Sequence, residues 1–126
     1  MSLALIAAAA LTCTVIDGDT LRCPPPEQGQ QPERVRLLGI DAPELPGHCR
    51  QGRHCAPGNG QASKASLERL VRGRAIRIQR FGQDRYGRTL ALAWAGPHNL
   101  ACAQLAGGQA IYRADWDVAG RVRRCG

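Results

Sequence analysis

The chain has 126 residues, which is enough for one hydrophobic core but not for two. It carries 17 basic and 10 acidic residues, a net charge of +7, and every basic residue except Lys64 is arginine. Arginine forms paired hydrogen bonds with phosphate, so the composition favours a polyanionic partner, nucleic acid ahead of membrane. A high arginine and alanine content can equally follow from genome composition, and charge alone does not decide between the two.

The N-terminal run "MSLALIAAAA" is too short to cross a bilayer as a helix. We interpret residues 1–10 as a mobile tail or the remnant of a signal peptide, and residues 11–126 as one domain.

Residues 11–23 predict a β-hairpin, because Asp17-Gly18 is a tight-turn signal between two apolar runs. Residues 24–33 are rich in proline and predict an exposed loop. Residues 34–40, "RVRLLGI", predict a third strand, which Asp41-Ala42-Pro43 ends. Residues 45–60 form a long loop.

The second half predicts a helix over 60–73, strands over 74–81 and 89–95 with a turn at 82–88, and a helix over 97–110. The tail from 111 onward is irregular. Five short strands with a helix between the third and fourth predict an α+β protein, a closed barrel of the oligonucleotide-binding type with two short helices.

Six cysteines in a short chain favour three disulfides and an oxidising compartment. The alternative is a zinc site, since His48 and His54 flank two of the cysteines, although no C-x-x-C pair is present. The symmetry of the hairpin predicts the pair Cys13–Cys23, and closure of the long loop predicts Cys49–Cys55. The two cysteines that remain form the third predicted pair, Cys102–Cys125.

Acidic side chains gather at strand ends, which is unusual in so basic a chain. If the first three strands are neighbours, Asp19 and Asp41 converge, and two carboxylates without a soft ligand suit Ca²⁺ or Mg²⁺. Arg36 and Arg88 could hold the oxygens of an anionic phosphodiester transition state, and Glu44 could take a proton from water. Each residue alone could be an ordinary turn or surface residue, so the joint pattern carries the hypothesis.

The joint pattern "VIDGDTL", "RLLGIDAPE", "DRYGR" and "NLACAQLAGGQA" resembles the thermonuclease (staphylococcal-nuclease-like) family from about Leu11 to Ala110. The resemblance implies a five-stranded oligonucleotide-binding barrel. It also implies Ca²⁺-dependent cleavage of DNA and RNA that leaves 3′-phosphates.

The resemblance further implies a role for individual residues. It assigns Ca²⁺ to Asp19, Asp41 and the carbonyl of Ala42, and transition-state stabilisation to Arg36 and Arg88. Glu44 is the candidate general base, or orders the water around the metal. It places Asp17 behind the metal ligands without direct contact to the ion. It assigns contacts with the nucleotide to Arg85, Tyr86 and Tyr112.

We therefore expect a secreted or periplasmic monomer that acts on DNA and RNA without an obligate protein partner or a membrane. Two alternatives stay open: a non-catalytic nucleic-acid-binding module on the same fold, and a disulfide-stapled structural or inhibitory protein. Strict alternation from Arg36 would turn Asp41 to the opposite face, so the hypothesis also requires a bulge or twist near Gly39.

Overall fold

A computed structural model describes residues 11–125, so the predicted tail or signal-peptide remnant at 1–10 lies outside the described residues. Within the described part the chain forms eight short strands and two α-helices. The strands are β1 (Thr14–Asp17), β2 (Thr20–Cys23), β3 (Glu33–Leu37), β4 (Ile40–Asp41), β5 (Ile76–Gln83), β6 (Thr89–Ala95), β7 (His98–Asn99) and β8 (Ile111–Tyr112). The helices are α1 (Gly60–Val71) and α2 (Leu100–Ala106), and three short 3₁₀ turns follow β8.

The main sheet has the order β1-β2-β3-β6-β5, with β7 added beside β6. Neighbouring strands are antiparallel except β3 and β6, which are parallel. The two-residue strands β4 and β8 form a separate small sheet. The predicted α+β class, a strand-rich domain with two helices, is confirmed.

Closure of the sheet into a barrel is the part of the fold prediction that is wrong. Closure would need a ladder between β1 and β5, but within residues 11–125 the link is a single bridge between Leu11 and Ile76. Cys13 lies between that bridge and β1 and is bonded to Cys23 on the opposite side.

The core lies between one face of the main sheet and the two helices. It is built from alternating strand residues and from one stripe of each helix, with Leu21, Val35, Leu67, Ile76 and Leu100 all fully buried. Burial of several such side chains, each contributing about 1.5–3 kcal/mol, is what attaches the helices to the sheet.

Both helices begin at an asparagine cap. The Asn59 side chain accepts from the backbone N–H of Ala62, and the Asn99 side chain accepts from that of Cys102. The observed α2 is shorter than the helix predicted over 97–110. It begins later because His98 and Asn99 first pair with β6 as strand β7. Likewise β5 runs two residues past the predicted strand end, with an irregularity between Arg80 and Gly82.

All six cysteines are paired in three disulfides, Cys13–Cys23, Cys49–Cys55 and Cys102–Cys125. These are the three pairs expected from the sequence. None of the six is left as a thiolate, so the zinc alternative loses its ligands.

Candidate active site

The β1–β2 turn brings two aspartates against helix α1. The backbone N–H of Asp19 donates to the Asp17 carboxylate at 3.1 Å. A Cβ on Gly18 would lie 1.8 Å from the hydroxyl of Ser63, so only glycine allows this close approach. The turn is consequently packed tightly, and Asp19 is buried.

The strand that carries Arg36 is interrupted at Leu38-Gly39, where the sequence predicted a bulge or twist. Leu38 and Gly39 form a turn between β3 and β4, and Gly39 has a positive φ of 75°. The turn brings the Arg36 guanidinium back to the start of β4, where it donates to the Ile40 carbonyl at 2.9 Å. Arg36 and Asp41 therefore face the same site, in spite of their odd spacing.

Arg36 connects a carboxylate of the β1–β2 turn with a carboxylate of β4. Its Nη2 lies 3.3 Å from Asp19 Oδ2 and 3.9 Å from Asp41 Oδ1. Asp19 Oδ2 also accepts the backbone N–H of Ala42 at 2.8 Å, and its Oδ1 accepts the Thr20 hydroxyl. The predicted ligand pair Asp19 and Asp41 is thus brought together around one buried guanidinium.

These carboxylates hold their protons differently. Burial alone would raise the pKa of Asp19, but the Arg36 charge and several hydrogen bonds hold that pKa below its ordinary value of 3.8. Burial raises the pKa of Asp41, assisted by the charge of Asp19 and opposed by three arginines. Burial and the charge of Asp19 raise the pKa of Asp17 to about 7.

Glu44 lies just past the end of β4 and contacts an arginine that the sequence did not single out. Arg53 Nη1 lies 3.4 Å from Glu44 Oε1, and its Nη2 lies 4.0 Å from Asp41 Oδ1. Arg53 belongs to the loop that the Cys49–Cys55 disulfide closes. Its position depends on the path of that loop, for which no sequence pattern exists.

Arg88 lies in the same cleft, which has a volume of about 740 Å³ and is also lined by Asp17, Asp19, Arg36, Glu44 and Arg53. The Arg88 Nε donates to Asp84 at 2.7 Å. Arg88 does not touch the Asp19–Asp41 pair; it contributes to the same cavity from the β5–β6 turn.

Tyr86 stands exposed at the mouth of the cleft, surrounded by guanidinium groups. Those of Arg50, Arg85 and Arg88 lie 5.8, 5.0 and 5.5 Å from its ring centre. Arg85 also donates to the Tyr86 hydroxyl at 2.8 Å. An aromatic face ringed by cations suits a nucleobase with its attached phosphates.

Tyr112 is not brought to this group. It pairs with Ile40 across the small sheet, and its hydroxyl donates to Asp117 at 2.7 Å. It is absent from the residues that line the cleft.

Three further residues shape the site from outside the predicted set. Arg113 Nη1 lies 3.5 Å from Asp41, and the Trp116 ring lies 5.2 Å from the Arg36 guanidinium carbon. The amide of Gln104, fully buried, donates to the carbonyls of Gly18 at 2.9 Å and Ser63 at 3.0 Å. A polar residue within the apolar stripe of a helix was the available signal for Gln104.

The donor set fits a hard divalent cation. Asp41 is only 1% exposed, yet its arginine neighbours lie 3.5–4.0 Å away, beyond the 2.7–2.9 Å of a close charged hydrogen bond. Its oxygens therefore lack close partners. Among residues 11–125 no group of three or more His, Cys, Asp or Glu gathers around one point. A bound ion would depend on two carboxylates, a main-chain oxygen and water.

Comparison with known proteins agrees with this geometry. The model of the family described as staphylococcal nuclease homologue matches residues 34–121. The chain belongs to this family. An uncharacterized endonuclease of Haemophilus influenzae is 39% identical over 92 residues, which cover 71% of this chain and 45% of that protein.

Two further relatives are similar to the chain over about two thirds of its length. The thermonuclease of Staphylococcus intermedius is 37% identical over 83 residues, which cover 65% of this chain and 46% of that protein. Protein ParB of Escherichia coli is 38% identical over 80 residues, 64% of this chain and 38% of the relative. The matched part of the chain thus spans less than half of each of these relatives.

Proposed function

We propose that this protein hydrolyses phosphodiester bonds of DNA and RNA with the help of Ca²⁺, leaving 3′-phosphates. The observation that carries the proposal is the Arg36 guanidinium, which lines an arginine-rich cleft and lies 3.3 Å from Asp19 and 3.9 Å from Asp41. Family membership supports the same reaction class, and the uncharacterized endonuclease and the thermonuclease among the relatives carry names consistent with it.

Arg36 and Arg88 stabilise the anionic transition state in this proposal. Arg36 keeps a fixed direction because its Nη1 donates to the carbonyls of Leu37 and Ile40. Arg88 is oriented by its bond to Asp84. Guanidinium groups that are held in advance lose little freedom as charge develops on the phosphoryl oxygens.

Asp19, Asp41 and the Ala42 carbonyl hold the cation. When bound, Ca²⁺ supplies Lewis-acid polarisation of a phosphoryl oxygen. Glu44 has a partly exposed carboxylate beside them and accepts the proton of the attacking water, or orders the water around the metal. Asp17 supports Asp19 from behind through the hydrogen bond to its N–H.

Arg85 and Tyr86 contact the nucleotide at the mouth of the cleft, where a base can stack on the tyrosine ring. Tyr112 is proposed to contact the more distant part of a longer strand, since it is exposed but lies outside the cleft. The protein works as a monomer.

We infer an oxidising environment, secreted or periplasmic, from the three disulfides. Within residues 11–125, no helix is both long and apolar enough to cross a membrane.

The test is cleavage of DNA and RNA by purified protein with Ca²⁺ or with a chelator. We expect cleavage only with Ca²⁺, and a fall of about 10²–10³-fold in kcat for Arg88→Ala, the range seen when a donor to a developing oxyanion is removed. Glu44→Gln should also lower kcat. Arg69→Ala, on the exposed surface of α1, is the matched control.

Each other outcome argues against a specific part of the proposal. Nucleic-acid binding without cleavage would favour the non-catalytic alternative. Unchanged rates in Arg88→Ala and Glu44→Gln would remove the assigned roles. Product ends that a phosphatase does not alter would contradict 3′-phosphates.

A further inference from the structure

The loop between β4 and α1 carries two arginines into the cleft, Arg50 and Arg53. The Cys49–Cys55 disulfide closes this loop over a separation of only six residues. Inside it, the backbone N–H of Arg53 donates to the Arg50 carbonyl at 3.1 Å. The disulfide and the turn together fix the backbone from which the Arg53 side chain extends.

Arg53 contacts two carboxylates that the proposed function assigns to different tasks. It lies 3.4 Å from Glu44, the candidate base, and 4.0 Å from Asp41, a candidate metal ligand. Its side chain is 44% exposed, whereas that of Asp41 is 2% exposed. The cationic group can therefore leave toward solvent, and the carboxylate cannot.

We propose that Arg53, positioned by the Cys49–Cys55 disulfide, competes with the divalent cation for the Asp41 and Glu44 carboxylates. The inference rests on the proposed function, since it requires a cation at Asp19 and Asp41. A positive charge already near these oxygens must be repelled or displaced when the ion arrives, and this lowers the affinity for the ion. The displaced guanidinium is then free in the cleft to contact a substrate phosphate.

Three arginines lie near Asp41, and among the described residues Arg53 is the one that also pairs with Glu44, whereas Arg113 pairs with Asp115. Arg36 is buried and donates to two backbone carbonyls, so it cannot leave without exposing unpaired groups. Arg53 contacts the site through its ion pairs with Asp41 and Glu44. Loss of the disulfide would let the loop carry Arg53 away from them.

The test measures cation binding directly. Tb³⁺ is a hard cation that luminesces when a nearby tryptophan is excited, and Trp116 lines the cleft. Titration with Tb³⁺, followed by displacement with Ca²⁺, gives the Ca²⁺ affinity without any turnover. For Arg53→Gln we expect Ca²⁺ to bind about two- to fivefold more tightly, the range expected for a half-exposed ion pair.

Matched variants isolate the cause. Arg53→Lys keeps the charge and should stay near the wild-type affinity. Arg50→Gln removes the same charge from the same loop but contacts Tyr86 instead of a carboxylate, so its effect should be clearly smaller. Cys49→Ser/Cys55→Ser should tighten binding much as Arg53→Gln does, and the two changes combined should not add.

The two levels of the hypothesis fail in different ways. Absence of Tb³⁺ luminescence in the wild-type protein would overturn the cation site itself. Tb³⁺ binding with unchanged or weaker Ca²⁺ affinity in Arg53→Gln would overturn the competition and leave the site intact. Full additivity of the serine pair with Arg53→Gln would show that the disulfide does not position Arg53.

Discussion

Replacing Gln104 with leucine tests whether one buried amide holds the aspartate turn in place. The Gln104 side chain donates to the Gly18 carbonyl and to the Ser63 carbonyl, and it accepts from the Ser66 hydroxyl at 2.8 Å. It therefore ties α2 to α1 and to the turn that carries Asp19. Leucine has a similar size but can make none of these bonds.

The cost follows from what each partner can do afterwards. Ser63 lies within α1, where its carbonyl also accepts a helical N–H, and the half-buried Ser66 hydroxyl can turn to water. The Gly18 carbonyl is buried and loses its amide donor. One unsatisfied buried acceptor costs about 1–3 kcal/mol. For a domain of this size each kcal/mol corresponds to about 3–5 °C in Tm.

Thermal unfolding of Gln104→Leu and of Gln61→Leu, on the exposed face of α1, measures this cost. Ca²⁺ titration well below Tm then separates positioning from stability, because a looser Asp19 turn should bind the ion more weakly in the folded protein. A change in Tm of under about 1 °C would refute the reasoning about the unsatisfied carbonyl. Unchanged Ca²⁺ affinity would show that the turn does not need this anchor.

Three further changes test the frame around the site. Gly39→Ala should destabilise the protein by about 1–2 kcal/mol or more, because a positive φ is unfavourable for alanine. The new Cβ would also be crowded by Val122 and Asp117 at 3.0–3.1 Å. An unchanged midpoint of urea unfolding would contradict this expectation. Removing the Cys102–Cys125 disulfide by serine substitution should lower the free energy of unfolding by about 3 kcal/mol in the entropic model, measured by urea unfolding. Equal stability of the serine variant and the wild-type protein would contradict a stabilising role for this disulfide. The hydrogen bonds from Arg80 lower the pKa of Glu33, so this carboxylate stabilises the fold above its unfolded pKa and loses that contribution as pH falls through the lower folded pKa. Glu33→Gln should thus be less stable than wild type at pH 7, and the difference should shrink as pH falls through the lowered pKa of Glu33; a pH-independent difference would contradict the linkage.

Local patterns predicted most of the fold. The Asp17-Gly18 turn signal between two apolar runs predicted the β1–β2 hairpin, and the helix predicted over 60–73 is observed as α1. Barrel closure could not be predicted, since it depends on whether β1 and β5 meet along their length. The short strands β4 and β8 also escaped prediction, because each exists only through its pairing with the other.

The site divides in the same way. Asp19, Arg36 and Asp41 could be expected to converge because the first three predicted strands were taken as neighbours, and the odd spacing between Arg36 and Asp41 required a bulge or twist near Gly39. Arg53 and Trp116 could not be found, because their positions follow from a disulfide-closed loop and from an irregular tail. The sequence shows that these residues are an arginine and a tryptophan, but their positions depend on tertiary contacts.

That tail explains why the break at Gly39 is stable. The Gly39 N–H donates to the Trp116 carbonyl at 3.0 Å, and its carbonyl accepts the Arg113 N–H at 2.8 Å. The groups that lose their sheet partners at the break are therefore both satisfied by residues 113–116. The same segment stacks Trp116 beside Arg36, and Cys125 ties the end of the chain to α2. The turn that brings Arg36 to Asp41 thus depends on a segment that carries no recognisable motif.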